Sequence, residues 1–171
     1  KSIAVLPFIN DSPDQENTYF INGVMEEILN NLQKIKALRV ISRTSAEKYR
    51  DQKKSVSEIA EELGVNYIVE GSGQKYGNVL RLRAQLIMAE HESHLWGESF
   101  QQKITDAEDI FNIQIKIAES IANELKAVIS PEEKSLIEKI PTKDIGAYED
   151  FLKGRFYLYK FTSSDSETAI K

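Results

Sequence analysis

The chain has 171 residues, 41% of them hydrophobic and 29% charged, with a formal net charge of −5 and no cysteine. That size suits one domain with an appendage. The acidic balance argues against a concentrated basic face for nucleic acid, and the missing cysteines exclude a disulfide framework, a thiolate metal site and a cysteine nucleophile. No run approaches the roughly 18 apolar residues of a membrane-spanning helix. A cysteine-free composition fits an exported domain slightly better than a cytosolic one.

In chain order, residues 2–8 form a continuous apolar run that reads as a strand buried on both faces, with Pro7 near its end. The Asn-, Asp-, Ser- and Pro-rich stretch over 10–17 reads as a loop. A helix is expected over 18–34, because Phe20, Val24, Ile28 and Leu32 recur every four residues. A short strand over 38–42 and a short helix over 44–50 come next. Ser55 and Glu58 have the spacing of a capping box for a helix that stops at Gly64. Two strand runs, 67–75 and 79–88, are joined by a turn at Gly77-Asn78, and a fifth strand lies near 94–101. The longest helix is expected over 106–129, its stripe running from Ile110 to Val128. Ser130, Pro131 and Glu133 restart a helix that Pro141 ends.

Residues 144–161 read as one more amphipathic helix, with a polar turn expected over 162–166 and the first residues of another helix after it. This order predicts an α/β (α+β) fold: a mixed sheet of about five strands with helices packed on it in two or three layers, then a helical-hairpin appendage. The first strand, helix and second strand should make a parallel crossover, and the last three strands an antiparallel meander. The expected divisions are 1–130 for the α/β domain, 131–141 for a connecting helix and 142–171 for the appendage. A lone helical hairpin cannot bury its own apolar face. The chain is therefore expected to be a piece of a longer protein.

Ala4-Val-Leu-Pro-Phe8 with Asn10 and Asp14, then Tyr19-Phe20, Gly23 and Glu26-Glu27-Ile28, resembles a TolB amino-terminal-like domain. The segments Val40–Ser45, Tyr67–Ser72, Arg81–Leu86, Leu95-Trp96 and the helix with Phe111, Gln114 and Ile117-Ala118 continue the likeness. It covers roughly residues 1–130, and the carboxy-terminal remainder of the chain resembles the start of a tetratricopeptide array. The resemblance implies an α/β sandwich without known catalytic residues, set in bacterial proteins between a winged-helix or adenylate-cyclase domain and a repeat array. It also implies placement outside the inner membrane, so a periplasmic part of a membrane-anchored parent is favoured over a cytoplasmic one.

The candidate ligand residues are Asn10, Asp11, Arg43, Thr44 and Ser45. All come after the carboxyl ends of strands, where open α/β sheets bind ligands, and Arg43 could hold a carboxylate or phosphate. The ordinary alternative is that Thr44 or Ser45 caps a helix, Arg43 pairs with an acid such as Glu70, and Asn10 and Asp11 make a turn. The Gly71 and Gly73 pair lies in a strand and suits close approach of another element better than phosphate binding. Arg81, Arg83 and Gln85 share one strand face, a binding surface or a solvated one. His91 and His94 could form a surface zinc site only with further ligands, and no metal or other cofactor is expected. Tyr148, Phe151, Leu152, Phe156 and Tyr159 line one face of the last helix and are expected to pack on later repeats or a protein partner.

With no Ser-His-Asp order and no cysteine nucleophile, the chain is not expected to be an enzyme. The preferred expectation is a sensory or scaffold module of a bacterial regulator. It would bind a protein through its repeats and a small ligand through its α/β domain, without contacting nucleic acid itself. The alternatives are a periplasmic accessory protein of envelope assembly and, least favoured, a small-molecule or nucleotide-binding enzyme domain.

Overall fold

The computed structural model describes residues 1–160, and within them the chain forms six strands and six α-helices. In order these are β1 (Ser2–Val5), β2 (Ile9–Asn10), α1 (Thr18–Gln33), β3 (Arg39–Val40), α2 (Arg43–Glu47), α3 (Val56–Leu63), β4 (Tyr67–Tyr76), β5 (Val79–Met88), β6 (Ser93–Lys103), α4 (Ala107–Glu124), α5 (Pro131–Ile137) and α6 (Ile145–Leu158). The sheet runs β3-β1-β4-β5-β6. β1 is parallel to both β3 and β4, as the strand-helix-strand crossover requires, and β4, β5 and β6 form the expected antiparallel meander.

The sheet gains its sixth strand where one was expected to continue. The apolar run over 2–8 does not stay a single strand: β1 ends at Val5, and Ile9-Asn10 pairs separately with Ser72-Gly73 of β4. Pro7 lies between them and has no N–H to give a ladder. Phe8, 1% exposed, turns into the core instead.

The main core lies between one sheet face and helices α1 and α4. It joins Phe20, Val24 and Ile28 of α1 to Val69, Leu80, Leu82 and Leu86 of the sheet and Ile110, Ile117 and Ile121 of α4. On the other face α3 covers only part of the sheet, through a small cluster of Ala4, Leu6, Tyr49, Ile59, Ala60 and Ile68. The chain therefore has three layers at β1 and two over most of β5 and β6.

The capping chemistry agrees with the sequence. Ser55 with Glu58, Asp106 with Asp109, and Ser130 with Glu133 each make reciprocal capping boxes. Gly64 takes the left-handed cap conformation, φ +62°. The longest helix is shorter than expected, ending at Glu124 because Lys126 turns left-handed at φ +50°. Val128, expected on its apolar stripe, is 79% exposed.

Candidate functional site

The structure does not bring the candidate rim residues together in one place. Asn10 closes its own loop: its Oδ1 accepts from the Ser12 amide at 2.9 Å and its Nδ2 donates to Thr18 Oγ1 at 3.0 Å. Asp11 is exposed beside a 100 Å³ recess lined by Ser72, Gly73, Gln74, Arg81 and Arg83. Thr44 and Ser45 are exposed on α2, whose cap is Ser42 rather than either of them.

Arg43 faces α1, not a ligand rim. Its Nε stands 3.1 Å from Glu26 Oε1, an ionic contact whose angle makes no hydrogen bond. The guanidinium lies 4.0 Å from the centre of the Tyr159 ring. Glu70, the acid expected beside Arg43, instead accepts from Gln85 Nε2 at 3.0 Å. Glu26 is only 6% exposed, and its second oxygen sits 3.0 Å from Arg155 Nε on α6. One buried carboxylate therefore bridges cations from α2 and α6, and burial is tolerated because both neighbours are guanidinium groups.

The aromatic residues of α6 do not share a single outward face. Tyr148 and Leu152 are buried in the α/β core at 3% and 1% exposure, while Phe151 is 57% exposed. Tyr148 packs between Phe20 and Phe111, and its hydroxyl accepts from Gln114 Nε2 at 3.1 Å. Burial is the main cause that pushes its phenol well above the ordinary tyrosine range. Leu152 sits on Gly23 of α1 so closely that a Cβ there would fall 2.4 Å from its Cδ2. Arg155 also pairs with Glu27 at 3.3 Å, and Lys75 of β4 reaches Glu149 at 2.7 Å. Phe156 is half-buried against Tyr157, and Tyr159 lies under Arg43. The second helix of the expected hairpin lies outside the described residues.

A 590 Å³ trough lies on the sheet face that α3 leaves open. Its floor is Glu70 and Ser72 of β4, Arg83 and Gln85 of β5, and Gly97 and Ser99 of β6; Tyr49, Arg50 and Lys54 wall one side and Leu6, Pro7 and Ile9 another. The alternation of Leu80, Leu82, Ala84 and Leu86 against Arg81, Arg83 and Gln85 announces this polar face, but only the fold shows that α3 stops short of it. Gly71 and Gly73 point the other way and admit Phe8 and Ile21, the close approach their sequence implies. His91 and His94 are exposed, and no cluster of three or more metal-ligating side chains occurs among the described residues.

The profile of the HilA/YgeH-like transcriptional regulator second domain matches residues 1–120. The chain belongs to that family. Over 98% of its length this HilA/YgeH-like domain is 34% identical to "Putative adenylate cyclase 3" of Rhizobium meliloti (strain 1021), and it spans 28% of that relative's length. The expectation of no enzymatic role is thereby corrected: a protein named as an adenylate cyclase carries this domain's counterpart. The signal was absent from the motifs because it lies in overall similarity rather than in a recognisable catalytic spacing.

Among solved structures, TolB from Acinetobacter baumannii is similar with a TM-score of 0.54 and 18% identity, over 74% of this chain and 28% of TolB. Lipoprotein GNA1162 from Neisseria meningitidis is similar with a TM-score of 0.53 and 16% identity, over 75% of this chain and 99% of that one. At these identities the likeness is one of fold, which agrees with the resemblance read from the sequence.

Proposed function

We propose that this chain is a regulatory module of a larger bacterial signalling protein, in which the α/β core holds the first helix of a tetratricopeptide array and governs an output domain. The observation that carries this reading is the docking of α6. Leu152 on Gly23, Tyr148 against Gln114, and Arg155 on Glu26 and Glu27 make the helix part of the core. A displacement of the sheet or of α1 is then felt by whatever α6 continues into. Such packed interfaces switch between discrete arrangements rather than deforming smoothly.

The family name supplies transcription as one output, and the relative named as an adenylate cyclase supplies cyclic-nucleotide synthesis as another. The repeats would recruit a protein partner. The test uses the full-length parent, with its cyclase or promoter activity as the readout. Deleting residues 1–130, or loosening α6 by Arg155→Ala, should uncouple output from its stimulus. An unchanged stimulus response after the deletion would refute the reading.

A further inference from the structure

We propose that the open trough over β4, β5 and β6 is a binding site for a small zwitterion of the α-amino-acid class. The proposal starts from Gly97. A glycine inside a strand is destabilising relative to alanine unless geometry demands it. Gly71 and Gly73 are demanded, since a Cβ at either would fall 2.5 or 2.6 Å from a neighbouring side chain. Gly97 is not: its Cβ would meet only ordinary contacts, Gln85 Cβ at 3.7 Å and the Ala84 carbonyl at 3.8 Å, and its φ is not left-handed. What the missing side chain does is leave the trough floor empty opposite Gln85.

The charges then select the ligand. Most charged groups around the trough are already satisfied. Arg50 pairs with Glu47 at 2.5 Å, Lys54 with Glu62 at 2.5 Å and Glu98 with Lys116 at 2.6 Å. Arg81 shares the face but does not line the trough, and its guanidinium donates to the amide oxygen of Gln101 at 2.8 Å. Two groups differ. Arg83 is flanked across its strand neighbours by Ser72 and Ser99, hydroxyls that leave its guanidinium uncompensated. Glu70 is bound only by the neutral amide of Gln85. Among the described residues neither has an oppositely charged partner within 4 Å. Their register makes them diagonal cross-strand neighbours, a spacing of about 7–8 Å between backbone positions.

An anion drawn to Arg83 would be repelled by Glu70, and a cation drawn to Glu70 would be repelled by Arg83. A molecule carrying both signs satisfies both. Its carboxylate would lie against Arg83 with Ser72 and Ser99, its ammonium against Glu70, and its side chain against Leu6, Pro7, Ile9 and Tyr49. This assignment names the ligand class of the regulatory module and rests on that reading only for the consequence of binding.

The experiment is calorimetric titration of the 171-residue chain with each of the free α-amino acids and with their N-acetyl derivatives. We expect at least one amino acid to bind and its N-acetyl form, which lacks the ammonium, to bind at least tenfold more weakly. Gly97→Val, which fills the floor, and Arg83→Gln should each weaken binding at least tenfold, while Arg81→Gln leaves it unchanged. Arg83 is exposed, so its variant keeps the test valid if Gly97→Val disturbs the sheet. Absence of binding by every amino acid overturns the proposal. So does equal binding of the acetylated form, or binding that survives both trough variants. Binding that holds in the isolated chain while the full-length parent ignores the same amino acid would fail the regulatory reading and leave this site standing.

Discussion

The contact between Gly23 and Leu152 is the sharpest place to test whether α6 belongs to the core. A Cβ at position 23 would stand 2.4, 2.8 and 3.0 Å from Cδ2, Cδ1 and Cγ of Leu152. Carbon atoms prefer about 3.5–4.0 Å, so α6 or the leucine must retreat by about 1 Å. Overpacking of this kind costs roughly 1–3 kcal/mol. Against it stands the gain of alanine over glycine within a helix, about 1 kcal/mol. Gly23→Ala alone should therefore be neutral to destabilising by about 2 kcal/mol. Leu152→Ala removes a side chain that is 1% exposed and should cost about 2–5 kcal/mol. In that second background the clash is gone, the new methyl fills part of the void, and Gly23→Ala should stabilise by about 1 kcal/mol. The expected coupling is thus about 1–3 kcal/mol, read by urea unfolding of the four chains in a double-mutant cycle. Additivity within about 0.5 kcal/mol would mean that the two residues do not touch in solution and that α6 is not docked.

Glu26→Gln should cost about 1–3 kcal/mol, because it leaves two largely buried guanidinium groups facing a neutral amide; denaturant midpoints check this, and a loss below about 0.5 kcal/mol would argue against the bridge. Acid should unfold the chain through its caps. Glu58, Asp109 and Glu133 are held below the usual carboxylate range, first by the backbone amides of Ser55, Thr105 and Ser130 respectively. A lowered folded pKa gives stability that is present above about pH 4, the unfolded value, and lost as pH falls through the folded one. Melting temperature should be level near neutrality and drop in acid; a rise on acidification would contradict the assignment. The tyrosines act at the other end with the opposite sign. Burial raises Tyr148, and burial with Glu149 and Asp150 raises Tyr19 to about 12, so their contribution is lost as pH climbs above about 10. Lys126→Gly should stabilise by about 1 kcal/mol, since lysine holds a left-handed φ of +50° that glycine adopts freely, and a thermal melt reads it.

The parts of the fold that were legible in the sequence are those fixed by local chemistry. Ser55 with Glu58 and Ser130 with Glu133 are capping boxes in sequence and in space. The Gly77 turn sets the β4–β5 register, and Gly77 takes φ +56°. What was not legible depended on which surfaces meet. The stripe Tyr148, Phe151, Phe156 and Tyr159 reads as one sticky face, but a helix face is assigned by its neighbours. Gly23, more than a hundred residues earlier, lets Leu152 in and turns Tyr148 inward while Phe151 stays out. Arg43 reads as a ligand residue because it comes just after a strand end. Glu26, one of two adjacent acids on α1 with no distinguishing local pattern, claims it instead. The trough was half visible: alternation in β5 marked a polar face, but its walls come from Tyr49, Arg50 and Lys54 in a segment whose packing no periodicity reveals.

The two regions of interest lie on opposite faces of the sheet, and β4 touches both. Its Glu70 and Ser72 form trough floor, while the intervening Gly71 and Gly73 receive Phe8 and Ile21 of the main core. Farther along, Lys75 is 2.7 Å from Glu149 of α6 and holds its ammonium 4.9 Å from the Phe20 ring, against which Tyr148 packs. A strand cannot slide by a fraction of its register, so a ligand bound in the trough would act on α6 by twisting β4 or by restraining its motion. These alternatives separate by measurement. A twist alters the Lys75–Glu149 pair and should be abolished by Lys75→Met, whereas a loss of motion lowers amide exchange along β4 in wild type and Lys75→Met alike. Because glycines at 71 and 73 leave no side chain to cushion the inner face, Phe8 and Ile21 bear directly on the β4 backbone, and even a small rotation there must be taken up by α1, the helix on which α6 rests.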